Sequence, residues 1–311
     1  MKDTILIIGA GGQVGSDLTA YLRSQGNPSS VVATDVRDVP ELGEDGPFET
    51  LDVMDEVHLK SIFEKYRPTV VYHLAALLSA TAEQKPMFGW NLNMTGLFNV
   101  FNMYRDYGVK RLFWPSSIAV FGPTTPREHT PQHTIMDPTT IYGISKLAGE
   151  RFCEYYHKRY GVDVRSLRYP GLIGWKTMPG GGTTDYAVDI FHQALKTGSY
   201  ECFLSEDTAL PMMYMDDAIK ATVDITEAPA EQIKIRSSYN LSALSFTPRE
   251  LAQEIARSVD GFEISYQPDH RQQIADSWPK SIDDQHARND WGWNPQFDLS
   301  AMVVDMIKHL K

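Results

Sequence analysis

The sequence predicts an α/β chain built on a doubly wound parallel sheet, with a smaller lobe towards the C-terminus. Three observations carry that expectation. Short apolar runs alternate with helix-period segments through the first half, a glycine-rich turn joins the first run to the first helix, and the alternation breaks after Tyr169. Residues 1–170 are expected to form the sheet-bearing domain. Residues 171–311 are expected to be mainly the smaller lobe, with some segments returning to the sheet.

Residues 4–8 read as a buried strand. Residues 13–25 read as a helix with Val14, Leu18, Tyr21 and Leu22 on one face. Residues 30–35 are a second strand, and residues 36–50, holding Pro40, Gly43, Gly46 and Pro47, a loop. Asp55 caps a helix running to Tyr66, with Ile62, Phe63 and Tyr66 inward. A strand at 69–73, a long helix at 87–107, a strand at 111–116, a helix at 139–160 and a strand at 163–169 follow. Strands that alternate with helices imply right-handed crossovers and a parallel sheet covered on both faces. Residues 174–185 are too glycine-rich for regular structure, and helices recur at 186–197, 215–227, 248–259 and 300–311.

The chain has 311 residues, 29 Lys and Arg against 40 Asp and Glu, a net charge of −11, and 42% apolar residues. That charge argues against nucleic acid as a partner, since phosphate binding needs a basic surface. Cys153 and Cys202 make no disulfide framework and no metal-like spacing, so no metal is expected and a reducing compartment is the simpler reading. The longest apolar stretch, 70–80, is too short to span a membrane and contains His73. No signal or transit peptide precedes the first strand, so the expectation is a cytoplasmic protein or the mature form of a processed one.

The turn after the first strand reads Gly9-Ala-Gly11-Gly12-Gln13-Val14-Gly15. Its glycines permit the tight turn and let backbone N–H groups approach a pyrophosphate at Gly12, and Gly15 lets the helix lie close to the sheet. The phosphate then meets the positive end of the helix. Asp35 lies twenty positions after Gly15, at the end of the second strand, where a carboxylate accepts hydrogen bonds from the adenosine ribose and repels a 2′-phosphate. NAD is therefore expected rather than NADP, with Arg37 as the counter-argument and a simple turn at Asp35 as the plain alternative. The strand–turn–helix and the acid together predict a Rossmann-type domain.

Tyr142-Gly-Ile-Ser-Lys146 places a tyrosine and a lysine one helical turn apart on one face. Free tyrosine, with a pKa near about 10, is a poor base at neutral pH. An ammonium beside it, together with the positive nicotinamide, favours the phenolate, which can then take a hydroxyl proton while hydride leaves for the nicotinamide ring. Ser116 and Ser117 end the preceding strand, where a hydroxyl can bond the reacting oxygen. An exposed tyrosine, a solvated lysine and serines in an ordinary turn are the alternative.

Taken in order, the motifs resemble those of the extended short-chain dehydrogenase/reductase family. The matching residues are the glycine turn at 9–15, Asp52-Val53, His73-Leu74-Ala75-Ala76, Asn93-Met-Thr-Gly96, Ser116 to Gly122, Tyr142 to Lys146, and Pro170-Gly-Leu172-Ile-Gly174. The resemblance implies that Asp52, Val53, Leu74, Ala75, Ala76, Tyr169, Pro170 and Leu172 join the glycine turn, Asp35, Tyr142 and Lys146 in holding NAD. Counting back from Gly122 selects Ser117 as the catalytic hydroxyl, with Ser116 in reserve. Asn93 resembles the helix asparagine that supports the site. Family members commonly pair through two long helices, here 87–107 and 139–160, so a homodimer is expected.

Most extended members act on nucleotide sugars and carry an arginine facing the diphosphate. Here that segment reads Leu210-Pro-Met-Met-Tyr-Met-Asp-Asp217, and leucine cannot pair with a diphosphate. Residues 77–80, 115–123, 180–187 and 277–284 resemble instead the members that oxidise L-threonine at C3. That resemblance implies substrate contact for Ser79, Ser117, Tyr142, Gly180, Thr183, Thr184 and Trp278. Thr183 and Thr184 could equally cap the helix at 186–197, and Trp278 could be a core aromatic. The competing functions are a nucleotide-sugar epimerase or dehydratase, and a cofactor-sensing regulator that would not need an intact Tyr142 and Lys146.

Overall fold

The computed structural model describes residues 3–180 and 182–311, so Gly181, inside the glycine run, and the side chain of Ala80 lie outside the described residues. In chain order the elements are β1 (Ile5–Ile8), α1 (Gln13–Ser24), β2 (Val31–Asp35), α2 (Glu41–Glu44), β3 (Phe48–Thr50), α3 (Glu56–Tyr66) and β4 (Val70–His73). Next come α4 (Ser79–Gln84), α5 (Pro86–Tyr107), β5 (Arg111–Phe113), β6 (Ser116–Ser117), α6 (Ile141–Tyr160), β7 (Val164–Arg165), β8 (Leu167–Tyr169) and β9 (Gly171–Ile173). The rest are α7 (Tyr186–Thr197), β10 (Ser199–Cys202), β11 (Leu210–Tyr214), α8 (Met215–Glu227), β12 (Tyr239–Asn240), β13 (Leu244–Phe246), α9 (Pro248–Ala256), β14 (Glu263–Tyr266), α10 (Arg271–Ser277), α11 (Gln285–Trp291) and α12 (Leu299–Leu310).

The chain divides into two compact units. The first holds the described residues up to Ser117, then Thr139–Arg168 and Ile219–Tyr239; the second holds Ile118–Pro138, Tyr169–Ala218 and Asn240–Lys311. Neither unit is one continuous stretch of chain.

In the first unit six strands lie in the order β3-β2-β1-β4-β5-β7, every neighbour parallel. This is the doubly wound order, and it reverses between β1 and β4. Register is set at that reversal: Ile8 stands beside Thr34 on one side and His73 on the other. Strand side chains alternate between faces, and Leu6, Ile7 and Ile8 are all buried, so both faces are covered. On one face Leu6 and Ile8 belong to a single buried cluster with Ile62 and Phe63 of α3, Leu97 and Phe101 of α5, and Cys153 and Tyr156 of α6. Asp55 Oδ1 accepts the His58 N–H at 2.9 Å to start α3, and Thr140 Oγ1 accepts the Gly143 N–H at 3.1 Å to start α6. Arg165 of β7 is buried, and its Nη1 donates to the carbonyls of Ile225 at 2.7 Å, Thr226 at 2.8 Å and Ala228 at 2.5 Å.

In the second unit β13, β11 and β9 form a mixed sheet, with β11 antiparallel to β13 and parallel to β9. β10 pairs with β14 in parallel. Leu210 pairs with Phe246 and is fully buried, a core residue of β11. Among the described residues no helix is long and apolar enough to cross a membrane.

Several expectations are corrected. The 36–50 segment contains α2 and β3 as well as loop; β3 is a short edge strand whose parallel pairing to β2, not its own pattern, makes it a strand. Tyr21 is 40% exposed and does not share the buried face of α1, which is formed by Gly15, Leu18, Thr19, Leu22 and Arg23. The strand expected at 111–116 is two strands, because β5 joins the central sheet while β6 lies in another sheet with β8 and β12. The 163–169 strand divides in the same way into β7 and β8. The helix expected at 248–259 ends at Ala256, and α4, α10 and α11 were not expected at all.

Candidate active site

The glycine turn follows β1 at the point where the strand order reverses, the position at which open α/β sheets bind ligands. The Gly9 and Ala10 N–H groups both donate to the Thr34 carbonyl, at 2.9 and 2.8 Å, tying the turn to β2. Gly9 has φ +90°, and a Cβ there would lie 2.6 Å from the Ala75 nitrogen. A Cβ on Gly15 would lie 2.2 Å from the Gly9 carbonyl oxygen. Only glycine permits either approach. The turn therefore closes against Leu74 and Ala75, in the segment after β4, and the Leu74 N–H donates to the Ile8 carbonyl at 2.8 Å.

The cradle fits a dinucleotide. Exposed Gly12 caps α1 with no side chain, and no acidic residue lies in the first helical turn. The N–H groups of Gln13 and Val14 thus open an anion-favouring helix end. A Cβ on Gly12 would have only the Gly9 carbonyl near it, at 3.4 Å, so the approach is open. Asp35 is buried to 6% exposure, and its Oδ2 accepts the Gly11 N–H at 2.9 Å. Its Oδ1 accepts from the Arg37 backbone N–H at 3.0 Å and from Arg37 Nε at 3.2 Å. Arg37 is thus an ion-pair partner of Asp35, and its Nη2 also donates to the Gly11 carbonyl at 2.6 Å. Asp52 is exposed and Oδ1 accepts the Met54 N–H at 2.9 Å, while Val53 is buried against Gly96 of α5.

The second cluster joins β6 and α6. The Tyr142 hydroxyl is hydrogen-bonded to the Ser117 side chain. Burial pushes that hydroxyl up to about 12, and the Ser117 bond pulls it partly back. Lys146 Nζ donates to the Pro115 carbonyl at 2.6 Å and lies 4.6 Å from the Trp114 ring centroid and 5.6 Å from that of Tyr142. Burial lowers Lys146 to about 7, against Cys153 and Glu150, which raise it. The same exclusion of water acts on both groups, on the phenol of Tyr142 and on the ammonium of Lys146. Burial, with the charge of Lys146, lowers the imidazole of His73 to about 3, so it stays neutral.

The two serines separate cleanly. Ser116 Oγ donates to Glu150 Oε1 at 2.6 Å and is turned away from Tyr142, whereas Ser117 bonds it. Asn93 touches neither Tyr142 nor Lys146 by any hydrogen bond described. Its Oδ1 accepts the Leu77 N–H at 2.8 Å, and its Nδ2 donates to the Leu77 carbonyl and to Ser145 Oγ, both at 3.2 Å. Asn93 therefore fixes the segment leading into Ser79 and α4 to α6. Sequence reasoning missed Glu150, Arg168 and Trp114. Glu150, four residues after Lys146 and eight after Tyr142, was within reach of helical spacing.

The remaining expected residues belong to the second unit. Tyr169 ends β8, Pro170 follows it buried, and Leu172 lies in β9. Thr184 packs on Gly171, where a Cβ would come within 2.7 Å of its Cγ2. Neither threonine caps α7: the cap position is Asp185, whose Oδ2 accepts the N–H groups of Gly180 at 2.7 Å and Gly182 at 2.9 Å. Thr183 is buried. Trp278 is buried after α10, and its carbonyl accepts from Arg127 Nε at 3.1 Å.

The NAD dependent epimerase/dehydratase family model matches residues 5–242. The chain is similar to the GalE-like L-threonine dehydrogenase of Cupriavidus necator in its holo form, at 54% identity and a TM-score of 0.97 over 99% of this chain and 100% of that one. It is similar to a monomeric L-threonine 3-dehydrogenase from a metagenome, at 46% identity and a TM-score of 0.94 over 98% of each chain. It is also 48% identical over 308 residues to the mitochondrial L-threonine 3-dehydrogenase of Bos taurus, covering 98% of this chain and 82% of that one.

Proposed function

The chain belongs to the NAD dependent epimerase/dehydratase family and is an NAD-dependent oxidoreductase, and on that premise we propose that it oxidises the C3 hydroxyl of L-threonine to 2-amino-3-oxobutanoate. The observation that carries this reading is similarity along the whole chain to proteins named for that activity. Leu210 supports it, since a buried leucine offers no clamp to a sugar diphosphate.

Residues 9–15 and Asp35 would hold NAD, which when bound supplies the hydride acceptor and a positive charge. Tyr142 Oη accepts the proton of the C3 hydroxyl. Ser117, already bonded to that phenol, donates to the reacting oxygen and keeps it within reach of the base. Lys146, as its ammonium, favours the phenolate and binds the nicotinamide ribose. Asn93 is a positioning residue that holds the Leu77–Ser79 segment to α6 through Leu77 and Ser145. Ser79, Gly180, Thr183 and Thr184 are assigned to recognition of the amino-acid carboxylate and amine, and Trp278 to the exclusion of water.

Purified protein mixed with L-threonine and NAD is expected to produce the absorbance of reduced nicotinamide. With NADP in parallel, kcat/KM should fall at least about tenfold, because Asp35 repels a 2′-phosphate and loses charge-assisted bonds each worth roughly 1.5–3 kcal/mol. No absorbance with either cofactor would sink the threonine assignment, and tight binding of a uridine diphosphate sugar would replace it with a nucleotide-sugar reaction.

The outer faces of α5 and α6 carry exposed Met87, Phe88, Ile144 and Tyr155. Phe98 meets Phe152 edge-on at 4.7 Å, and Phe152 meets Tyr155 at 6.5 Å, so part of this surface is a connected aromatic patch. A second copy of the chain is the occupant proposed for it, since apolar patches of this kind mark interaction sites. Sedimentation equilibrium at micromolar concentration is expected to give twice the chain mass. A single-chain mass, as in the relative named monomeric, would exclude the dimer.

A further inference from the structure

Three side chains behind the Tyr142–Lys146 face have no task in the reaction just described. Glu150 lies on α6 one turn beyond Lys146, itself one turn beyond Tyr142. Its side chain is fully buried, and Arg168 of β8 is 1% exposed. Arg168 Nε donates to Glu150 Oε1 and Nη2 to Oε2, both at 2.8 Å, a bidentate fork. Ser116 of β6 adds a third bond, at 2.6 Å, to Oε1. One carboxylate thus binds β6, which ends in Ser117, and β8 to the helix that carries the tyrosine and lysine.

Such a pair is poor evidence for stability, because well-packed apolar residues of similar volume often serve as well or better. Its place matters more. Lys146 is faced by Tyr142, Glu150 and Cys153 from its own helix and by His73 from β4. Of these, Glu150 is the carboxylate, and its charge opposes the desolvation of the ammonium. Arg168 and Ser116 together supply three hydrogen bonds to the buried carboxylate.

We propose that Glu150 is a positioning residue for the Tyr142–Lys146 pair, whose carboxylate, held by Arg168 and Ser116, fixes the β6 serines against α6 and sets a buried acidic group one helical turn from Lys146. The kinetic part of this inference rests on the dehydrogenase reading; the electrostatic part does not.

The test is Glu150→Gln in the full chain, with two readouts. The first is an NMR titration of the labelled lysine side chains, with the Lys146 signal assigned by its loss in Lys146→Arg. The second is kcat/KM for L-threonine against pH. The Lys146 midpoint is expected to fall by about one pH unit, and kcat/KM to level off at a correspondingly lower pH, with roughly a tenfold loss at neutrality and above. The KM for threonine should change less than about threefold, since Glu150 contacts no substrate. An unmoved Lys146 midpoint in the folded variant overturns the inference and leaves Glu150 a structural residue. If Glu150→Gln does not fold, Glu150→Gln with Arg168→Gln removes both charges and is read by the same midpoint. A shifted midpoint with no threonine turnover in the wild-type chain supports the role of Glu150 while overturning the substrate reading.

Discussion

Replacing Tyr142 by Phe is expected to lower kcat for L-threonine oxidation by at least about a thousandfold, the upper range of what a positioned acid or base supplies. The ring stays, so Lys146 keeps its aromatic neighbour and NAD affinity should stay within about fivefold. Reduced-nicotinamide absorbance measures the first quantity and quenching of protein fluorescence by NAD the second. A Phe variant with wild-type turnover would remove Tyr142 from the chemistry. The pH dependence follows from the same group. Burial holds the Tyr142 hydroxyl near about 12, so the phenol keeps its proton across neutral pH and the fraction able to act as base grows with pH. Wild-type kcat/KM should therefore rise from about pH 6 and level off above about 7, where Lys146 loses its ammonium. Any positive charge brought to the site shifts that rise to lower pH.

The second large effect belongs to Gly15. A Cβ there would meet the Gly9 carbonyl oxygen at 2.2 Å and the Ala10 Cα at 2.7 Å, and both partners are backbone of the turn itself. Gly15→Ala must push α1 away from the sheet or open the turn, at roughly 1–3 kcal/mol of stability. The helix end then no longer faces the pyrophosphate position. NAD affinity should fall about a hundredfold, equivalent to about 2.8 kcal/mol. Gly26→Ala is the matched control, because nothing lies within 4 Å of a Cβ there. Titration calorimetry with NAD and thermal unfolding of both variants decide it. Equal affinity in Gly15→Ala and wild type would detach the glycine turn from the cofactor.

What the sequence revealed and what it hid divide along a physical line. The strands flanking the glycine turn were legible because each is short, apolar and bounded by turn residues, and α6 because Tyr142, Lys146 and its buried face repeat at helical spacing. β3 was not, since three residues directly after Gly46-Pro47 become a strand only by pairing with β2. The two serines at the end of β6 are alike in sequence. Their roles separate through Glu150, thirty-four residues away, which takes one hydroxyl and leaves the other to Tyr142. The depressed ammonium of Lys146 was hidden for the same reason: spacing reports which side chains share a face, while their charge state depends on how much water the packed neighbours exclude.

The buried guanidinium of Arg165 sets an order of events during synthesis. Its carbonyl acceptors lie at Ile225, Thr226 and Ala228, about sixty residues downstream. A nascent chain that has left the ribosome only as far as β7 has Asp163 to hold Nε and Nη2, but the carbonyls that satisfy Nη1 within the sheet are still to be made. The first unit is completed by Ile219–Tyr239, so it cannot close as an early, independent translation product. Its maturation waits on most of the 311-residue chain, and the growing polypeptide carries an unfinished sheet through that interval.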